Sequence, residues 1–288
     1  MKIAVASGKG GTGKTMIATS LAASLAPGYV IHFLDCDVEA PNAHLFLNPE
    51  LTGISPAVIA IPKIDPDLCI ACGKCVNVCQ YHALAMIQEK ILVFSQLCHG
   101  CGSCALNCPV SAISEEEIII GTLHQGKTKH GIMHYVGKLT ISEPMASPII
   151  HQLRKLPQTN PDITILDAPP GASCAVVSTV YDADFILLVT EPTPFGLHDL
   201  KQMLGIISQT GIPAGVIINR HGIGDKVVET FLTQTSIPIM MKIPYKHEIA
   251  IGLASGKVLT DFKPVYRRKF RALFEIIKAH IIADPGEP

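Results

Sequence analysis

The stretch Gly8-Lys9-Gly10-Gly11-Thr12-Gly13-Lys14-Thr15 decides how this chain folds. The short apolar run Ile3 to Ala6 precedes it, and Met16 to Leu25, which reads as a helix, follows it. Strand, glycine-rich loop and helix together form the setting that a phosphate-binding loop needs. Gly8, four residues, then Gly13, Lys14 and Thr15 complete the Walker A pattern; an ordinary glycine-rich turn is the alternative. The glycines let successive N–H groups turn inward as an anion nest, and the helix N-terminus adds its partial positive charge. Gly8, Gly10, Gly11, Thr12, Gly13, Lys14 and Thr15 are therefore candidate nucleotide-binding residues. Lys14 is placed to reach the β- and γ-phosphates, and the Thr15 hydroxyl to bind Mg²⁺.

Further apolar runs follow at Tyr29 to Leu34, Ile163 to Ala168, Asp184 to Thr190 and Gly215 to Ile218, with helical segments between several of them. That order predicts an α/β fold with a mainly parallel, doubly wound sheet. The 48% hydrophobic content suits a sheet buried on both faces. Acidic residues stand where two of these strands end. The second strand runs into Asp35-Cys36-Asp37, and Asp37 is a candidate to hold Mg²⁺ through water or to orient the attacking water; a polar loop after a strand is the alternative. Asp167 ends the Ile163 to Ala168 run and precedes Pro169-Pro170-Gly171, the Walker B arrangement. Asp167 is expected to bind Mg²⁺ through water, and the Gly171 N–H to sense the γ-phosphate.

The chain holds ten cysteines, eight of them in two groups. Cys69, Cys72, Cys75 and Cys79 have the spacing C-x2-C-x2-C-x3-C; Cys98, Cys101, Cys104 and Cys108 repeat it at an offset of 29, completed by Pro109. Ala83-Leu84 recurs as Ala112-Ile113 at the same offset, and Gln80 stands where the second copy has Pro109. With no export signal in view, such spacing favours metal over disulfides. Structural zinc is the alternative, but zinc prefers separated ligand pairs. The pattern is that of a bacterial two-cluster ferredoxin, in which each 4Fe–4S cluster takes three close cysteines and a distant fourth. The implied sets are Cys69, Cys72, Cys75 with Cys108, and Cys98, Cys101, Cys104 with Cys79. A module of about 50 residues builds little core alone, so its clusters would act as staples.

Lys9 makes the phosphate loop more specific. A second lysine in the form Lys-Gly-Gly-Thr-Gly-Lys-Thr resembles the MinD/ParA/Mrp superfamily of ATPases, to which the nitrogenase iron protein belongs. The resemblance implies that Lys9 crosses an ATP-dependent dimer interface and contacts the other subunit's nucleotide; a solvated loop lysine is the alternative. It also implies that Asp37 with Pro41-Asn42 forms switch I. Asn219 and Arg220 would lie beside the adenine, with Pro244 forming the other wall of that pocket; a strand-capping asparagine is the alternative. Cys174, seven residues after Asp167, resembles the cysteine that ligates a cluster shared across the dimer of the nitrogenase iron protein. Residues 114–166 contain no second such cysteine, so the alternatives are a third metal site and plain packing.

The resemblance divides the chain into an ATPase domain, residues 1–62 and 114–288, and an inserted α+β ferredoxin-like domain, residues 63–113. The segment from Leu51 to Ile64, with Gly53, Pro56 and Pro62, reads as a connector, and Ile91 to Phe94 as a strand between the cysteine groups. His124, Lys127, Lys129, His130 and His134 read as a solvated hairpin, or else as a docking patch for an anionic partner. A helix over Ile149 to Leu156 should stop at Pro157. The last helix carries Phe270, Leu273, Phe274, Ile277 and Ile281 on one face, for core packing, with a membrane-surface role as the alternative. The sequence runs out in Asp284-Pro285-Gly286-Glu287-Pro288, and no extra membrane-binding segment is expected beyond that helix.

A net charge of −1 argues against a nucleic-acid surface over the whole molecule. No apolar run approaches the ~18 residues of a membrane span, and the chain begins directly in a strand without a leader. These features predict a cytoplasmic protein without stable membrane insertion. The expected cofactors are ATP, Mg²⁺ and two 4Fe–4S clusters. Three functions follow from the resemblance. One is an ATPase whose nucleotide-dependent dimer, of like chains or with a paralogue, controls electron transfer to a redox partner. The second is an Fe–S or metallocofactor assembly ATPase acting on a metalloprotein partner, and the third a positioning ATPase with structural clusters.

Overall fold

β1 (Lys2–Ser7) shows why the opening stretch folds as it does: Ile3, Ala4, Val5 and Ala6 are all fully buried. Ile3 and Val5 pack into one core and Ala4 and Ala6 into the other, one on each face of the sheet. α1 (Lys14–Leu25) begins directly at the end of the glycine loop and is buried almost all round, which its Ala and Ser content permits. Ser20 and Ser24 satisfy their hydroxyls on the carbonyls one turn back. The computed structural model describes residues 1–156 and 159–283. The expected helix stop at Pro157 and the chain end at 284–288 lie outside them.

The chain continues through β2 (Ile31–Asp35), α2 (His44–Leu47), β3 (Glu50–Ile64), α3 (Lys74–Val78), β4 (Leu84–Ile87), β5 (Lys90–Val93) and α4 (Ser103–Leu106). β6 (Ile113–Lys127), β7 (Met133–Leu139), α5 (Ser147–Lys155), β8 (Ile163–Pro170), α6 (Cys174–Val180), β9 (Phe185–Thr190) and α7 (Pro194–Ile207) follow. The last elements are β10 (Ala214–His221), α8 (Val227–Thr233), β11 (Ile239–Pro244), α9 (His247–Ala254), α10 (Leu259–Phe262) and α11 (Val265–Ala283). Among the described residues the main sheet has nine strands in the order β11-β10-β9-β1-β8-β2-β7-β6-β3. Neighbours from β11 to β7 are parallel; β7–β6 and β6–β3 are antiparallel. Helices cover both faces, so the expected doubly wound α/β fold is what forms. β1 and β8 lie at the centre, and the strand order runs outward in opposite directions on the two sides of β1, which leaves a crevice at its carboxyl end.

α5, α6, α7 and α8 pack on one face, and α1, α10 and α11 on the other. Phe270, Leu273, Phe274 and Ile277 of α11 are buried against α1 and the sheet, and Arg271 Nε donates to the Ser24 carbonyl at 3.0 Å. Burying each such side chain is worth about 1.5–3 kcal/mol, which accounts for core packing of this helix. Among the described residues no helix is long and apolar enough to cross a membrane.

Two expectations need correction. Leu51 to Ile64 is no connector: it belongs to the 15-residue β3, paired along its length with the 15-residue β6. Pro56 and Pro62 are tolerated because β3 is the edge of the sheet, where a strand needs hydrogen bonds on one side only. The ribbon of β3 and β6 ends in the pair Ile64–Ile113, and the two cysteine groups sit between those residues. The histidine-lysine group is also not a uniformly solvated hairpin. Lys127 and Lys129 are exposed, but His134 is fully buried and stacked on Phe33 at 5.8 Å, because β7 pairs with β2 inside the sheet.

Candidate functional site

The crevice at the end of β1 is a cleft of about 250 Å³ lined by Lys9 through Met16, with Ser7, Asp37, Asn42 and Pro170 across from them. The loop's shape depends on Gly13, whose φ is +88°, and a Cβ there would collide with Asn219 Nδ2. Asn219, at the end of β10, donates from that nitrogen to the Thr12 carbonyl at 2.7 Å. It therefore braces the phosphate loop from behind. Thr15 stands at the first turn of α1 with its hydroxyl 3.5 Å from Lys14 Nζ. Gly10 and Gly11 have open space around them, as backbone that must approach a ligand requires.

Lys14 joins the two phosphate-binding motifs. Its Nζ donates to Asp167 Oδ1 at 2.5 Å, with both side chains buried. Asp35 is the direct β2 neighbour of Asp167 on β8. The Asp35 carboxylate accepts from the backbone N–H groups of Asp37, Asn42 and Ala43, at 3.3, 3.0 and 2.9 Å. It thereby pins the loop that carries Asp37. Burial, and then the Asp167 charge beside it, raise the Asp35 carboxyl to about 7. Asp37 is also pushed above the usual carboxylate range, first by burial, although Lys14 acts against this. Carboxyls at this density around one lysine favour a divalent cation nearby, the chemistry expected of Asp37 and Asp167.

Gly171 has a φ of +91° just after β8, and its N–H donates to the Ser7 carbonyl at 2.9 Å, tying the Asp167 strand to the start of the phosphate loop. Lys9 stands at the cleft mouth, 3.4 Å from Glu191 Oε2, while Arg220 Nη1 donates to Glu191 Oε1 at 2.6 Å. Arg220 thus pairs with Glu191, and neither it nor Pro244, at the end of β11, forms a wall of the cleft. Asp35 and Glu191 were the two site residues that the motif reading passed over. Both could have been found as acids at the carboxyl ends of β2 and β9, strands that flank the centre of the sheet.

The eight clustered cysteines line two separate cavities. Cys69, Cys72, Cys75 and Cys108 line one cavity, and Cys79, Cys98, Cys101 and Cys104 line a second. Among the described residues no three Cys, His, Asp or Glu side chains converge at the distances of a single ion. The thiols surround a space instead of a point. The sequence repeat is also a backbone repeat. Positive φ recurs at offset 29 in Ala71 and Gly100, in Gly73 and Gly102, and in His82 and Ser111. Those turns aim the short helices α3 and α4 and leave N–H groups for sulfur. Ala83 N donates to Cys79 Sγ at 3.3 Å, and its repeat mate Ala112 N to Cys108 Sγ at 3.2 Å. Four thiols per cavity with backbone donors to sulfur fit a 4Fe–4S cluster in each. The local core is itself built on Cys75, Cys104 and Leu84. Cys174 is exposed at the first position of α6, apart from both cavities.

The ribbon links these cavities to the cleft. Leu139 N of β7 donates to the Val38 carbonyl at 2.8 Å. A Cβ on Gly137 would lie 2.8 Å from Val38 Cγ1, so the missing side chain lets Val38 seat on β7. Val38 follows Asp37 directly, and β7 pairs with β6, which runs on to the cysteines.

Residues 3–259 match the family described as the CobQ/CobB/MinD/ParA nucleotide binding domain. The chain is similar to the uncharacterized protein MJ0579 of Methanocaldococcus jannaschii, with 33% identity over 267 residues, covering 89% of this chain and 90% of that one. It is similar to a ferredoxin of Pyrobaculum islandicum over 84 residues at 36% identity, 29% of this chain and 76% of that one. Its fold matches the septum site-determining protein MinD of Pyrococcus horikoshii, solved with Mg-ADP, at a TM-score of 0.58 and 18% identity, covering 96% and 94% of the two chains. With Lys14, Asp167 and the glycine loop assembled at the end of β1, the chain belongs to the CobQ/CobB/MinD/ParA family and is a nucleotide-binding ATPase of the MinD/ParA type.

Proposed function

We propose that this ATPase uses MgATP binding and hydrolysis, in a nucleotide-dependent dimer, to control electron transfer from two 4Fe–4S clusters to a protein partner. The clusters belong to an insert, residues 63–113, in an ATPase domain made of residues 1–62 and 114–288. When bound, they supply one-electron redox chemistry. Cys69, Cys72, Cys75 and Cys108 hold one, and Cys98, Cys101, Cys104 and Cys79 the other. Thr15, Asp37 and Asp167 hold Mg²⁺, and Lys14 the phosphates. Lys9 is the residue that leaves Glu191 and crosses to a second chain. The protein works in the cytoplasm.

The observation that carries this reading is the interleaving of the thiol sets. Each cavity takes its fourth cysteine from the other half of the repeat, and one cysteine of each half, Cys75 and Cys104, is buried in the core of the insert. Releasing either cluster would remove one of the ties between the two halves, which favours resident redox groups over cargo. The Val38–Leu139 hydrogen bond supports a mechanical route from the switch segment to the insert.

The test is anaerobic. Reconstituted protein is reduced, then mixed with an acceptor protein with and without MgATP, and both electron transfer and iron retention are measured. The reading expects about eight irons per chain, retained throughout, with transfer that depends on MgATP. Iron that moves to an apo-acceptor on addition of MgATP overturns it in favour of a cluster carrier. Clusters that stay bound but whose oxidation is indifferent to nucleotide overturn it in favour of a positioning ATPase with structural clusters.

A further inference from the structure

A second cavity of about 320 Å³ lies between the switch segment and the β6–β7 hairpin, separate from the nucleotide cleft. That is within the usual size of small-molecule sites. Its polar walls are His44 and Asn48 from α2 and the residue after it, His124 from β6 and Lys138 from β7. Its apolar walls are Pro41, Pro49, Leu51 and Val136. Among the described residues no carboxylate lines it. Glu50, the acid next to it in sequence, stands opposite Lys127 on the other face of the ribbon, whereas Leu51 stands opposite Gly126 on the cavity side.

One polar group of the wall lacks a partner. His124 Nε2 meets the Thr122 hydroxyl at 2.8 Å, but its buried Nδ1 has no hydrogen-bond partner. His134, two residues before Val136 on the same face of β7, is fully buried with neither ring nitrogen partnered. Gly126, opposite it on β6, has no side chain to supply one. His134 does not line the cavity, but His124 does, and its unpartnered Nδ1, at a cost of about 1–3 kcal/mol, marks a place where a ligand supplies a hydrogen-bond partner.

We propose that this cavity binds a small organic carboxylate, with Lys138 and the His124 ring on the carboxylate and the wall of Pro41, Pro49, Leu51 and Val136 on an apolar body. One lysine with neutral donors suits a single negative charge. Burial and the Lys138 charge lower the proton affinity of His124, so the ring meets the ligand as a neutral donor near pH 7. Inorganic phosphate, compact and doubly charged, would leave the apolar wall uncovered. The site shares its switch-segment wall with the nucleotide cleft: Pro41 lines the first and Asn42 the second.

The test uses the full-length, cluster-loaded protein and saturation-transfer NMR. The probes are a series of straight-chain and phenyl-substituted carboxylates from acetate to phenylbutyrate, each paired with its carboxamide, and inorganic phosphate. Saturable binding of at least one longer carboxylate is expected, with its amide and phosphate not competing. Lys138→Met should weaken that carboxylate roughly tenfold or more. Leu51→Glu, an exposed change that sets a negative charge at the mouth, should do the same. Both positions are exposed, and unchanged circular dichroism spectra will establish that the variants fold. Equal binding by acid and amide, equal affinity in Lys138→Met and wild type, or no saturable binding across the series overturns the proposal.

Discussion

Replacing Lys14 should cost stability as well as nucleotide binding, and the size of that cost follows from the structure. Lys14 Nζ lies 2.5 Å from Asp167 Oδ1, and the two side chains are 7% and 0% exposed. At an effective dielectric of ~20 their attraction is about 7 kcal/mol, offset in part by taking both ions out of water. In Lys14→Met the ammonium is gone, but Asp167 stays buried beside Asp35, with its Oδ2 already without a partner. Breaking a buried pair in this way costs about 3–5 kcal/mol, a large fraction of the ~5–15 kcal/mol that holds a domain folded. The double variant Lys14→Met/Asp167→Asn removes both charges and should recover most of the loss. Urea unfolding of the cluster-loaded protein near neutral pH, without nucleotide and followed by circular dichroism, measures all four corners of the cycle. A single variant that loses less than about 1 kcal/mol, or a double variant no more stable than the single, would refute the reasoning. It would mean that the pair is solvated and that Lys14 serves the phosphates alone.

Other consequences are open to direct measurement. Asp35, raised to about 7, contributes stability that is complete below the unfolded carboxylate value of about 3.9 and is lost as pH rises through about 7. Asp35→Asn should flatten that fall in urea midpoints, and an unchanged slope would assign it to another group. Gly13→Ala forces a side chain at φ +88° onto Asn219 and should abolish tight ATP binding in a calorimetric titration, with a stability loss of more than about 1 kcal/mol; normal binding would mean that the loop can re-form. Cys108→Ser should remove the iron held by Cys69, Cys72 and Cys75 and leave the second set loaded, read by iron and sulfide analysis and by paramagnetic resonance. Loss from the other set would reverse the assignment. Lys9→Ala should leave ATP binding largely intact yet impair ATP-dependent dimerisation in light scattering, and normal dimerisation would confine Lys9 to its pairing with Glu191.

The parts of this protein legible from sequence are those in which spacing and backbone chemistry coincide. The glycine loop could be read because strand, positive-φ glycines and helix start lie within fifteen consecutive residues. The internal repeat could be read because an offset of 29 repeats the turns as well as the cysteines. The long edge ribbon was hidden because Gly53, Pro56 and Pro62 carry connector signals, and only its place at the sheet edge makes them harmless. The burial of His134 was hidden for a related reason: it was read together with the exposed Lys127 and Lys129, while its neighbour in space is Phe33, about a hundred residues earlier.

The hidden ribbon changes what the visible motifs can do together. Chain order alone sets the cysteine insert after the switch segment, a relation with no mechanical content. In the fold, the loop after Asp37 is held at two points. Asp35 grips Asn42 and Ala43 from the sheet side, and β7 takes the Val38 carbonyl from the other. A γ-phosphate or Mg²⁺ that drew on Asp37 would pull on a loop already fastened to the β7–β6 pair, and β6 runs on, past a register shift at Ile120, to Ile113 at the edge of the thiol cavities. Such a strand transmits displacement well because sliding it by one residue would turn every side chain to the wrong face. The same loop walls both the nucleotide cleft and the carboxylate cavity, through Asn42 and Pro41. Three sites thus bear on one short segment, and a ligand at any of them that favours one position of Asp37 must, by linkage, alter affinity at the others.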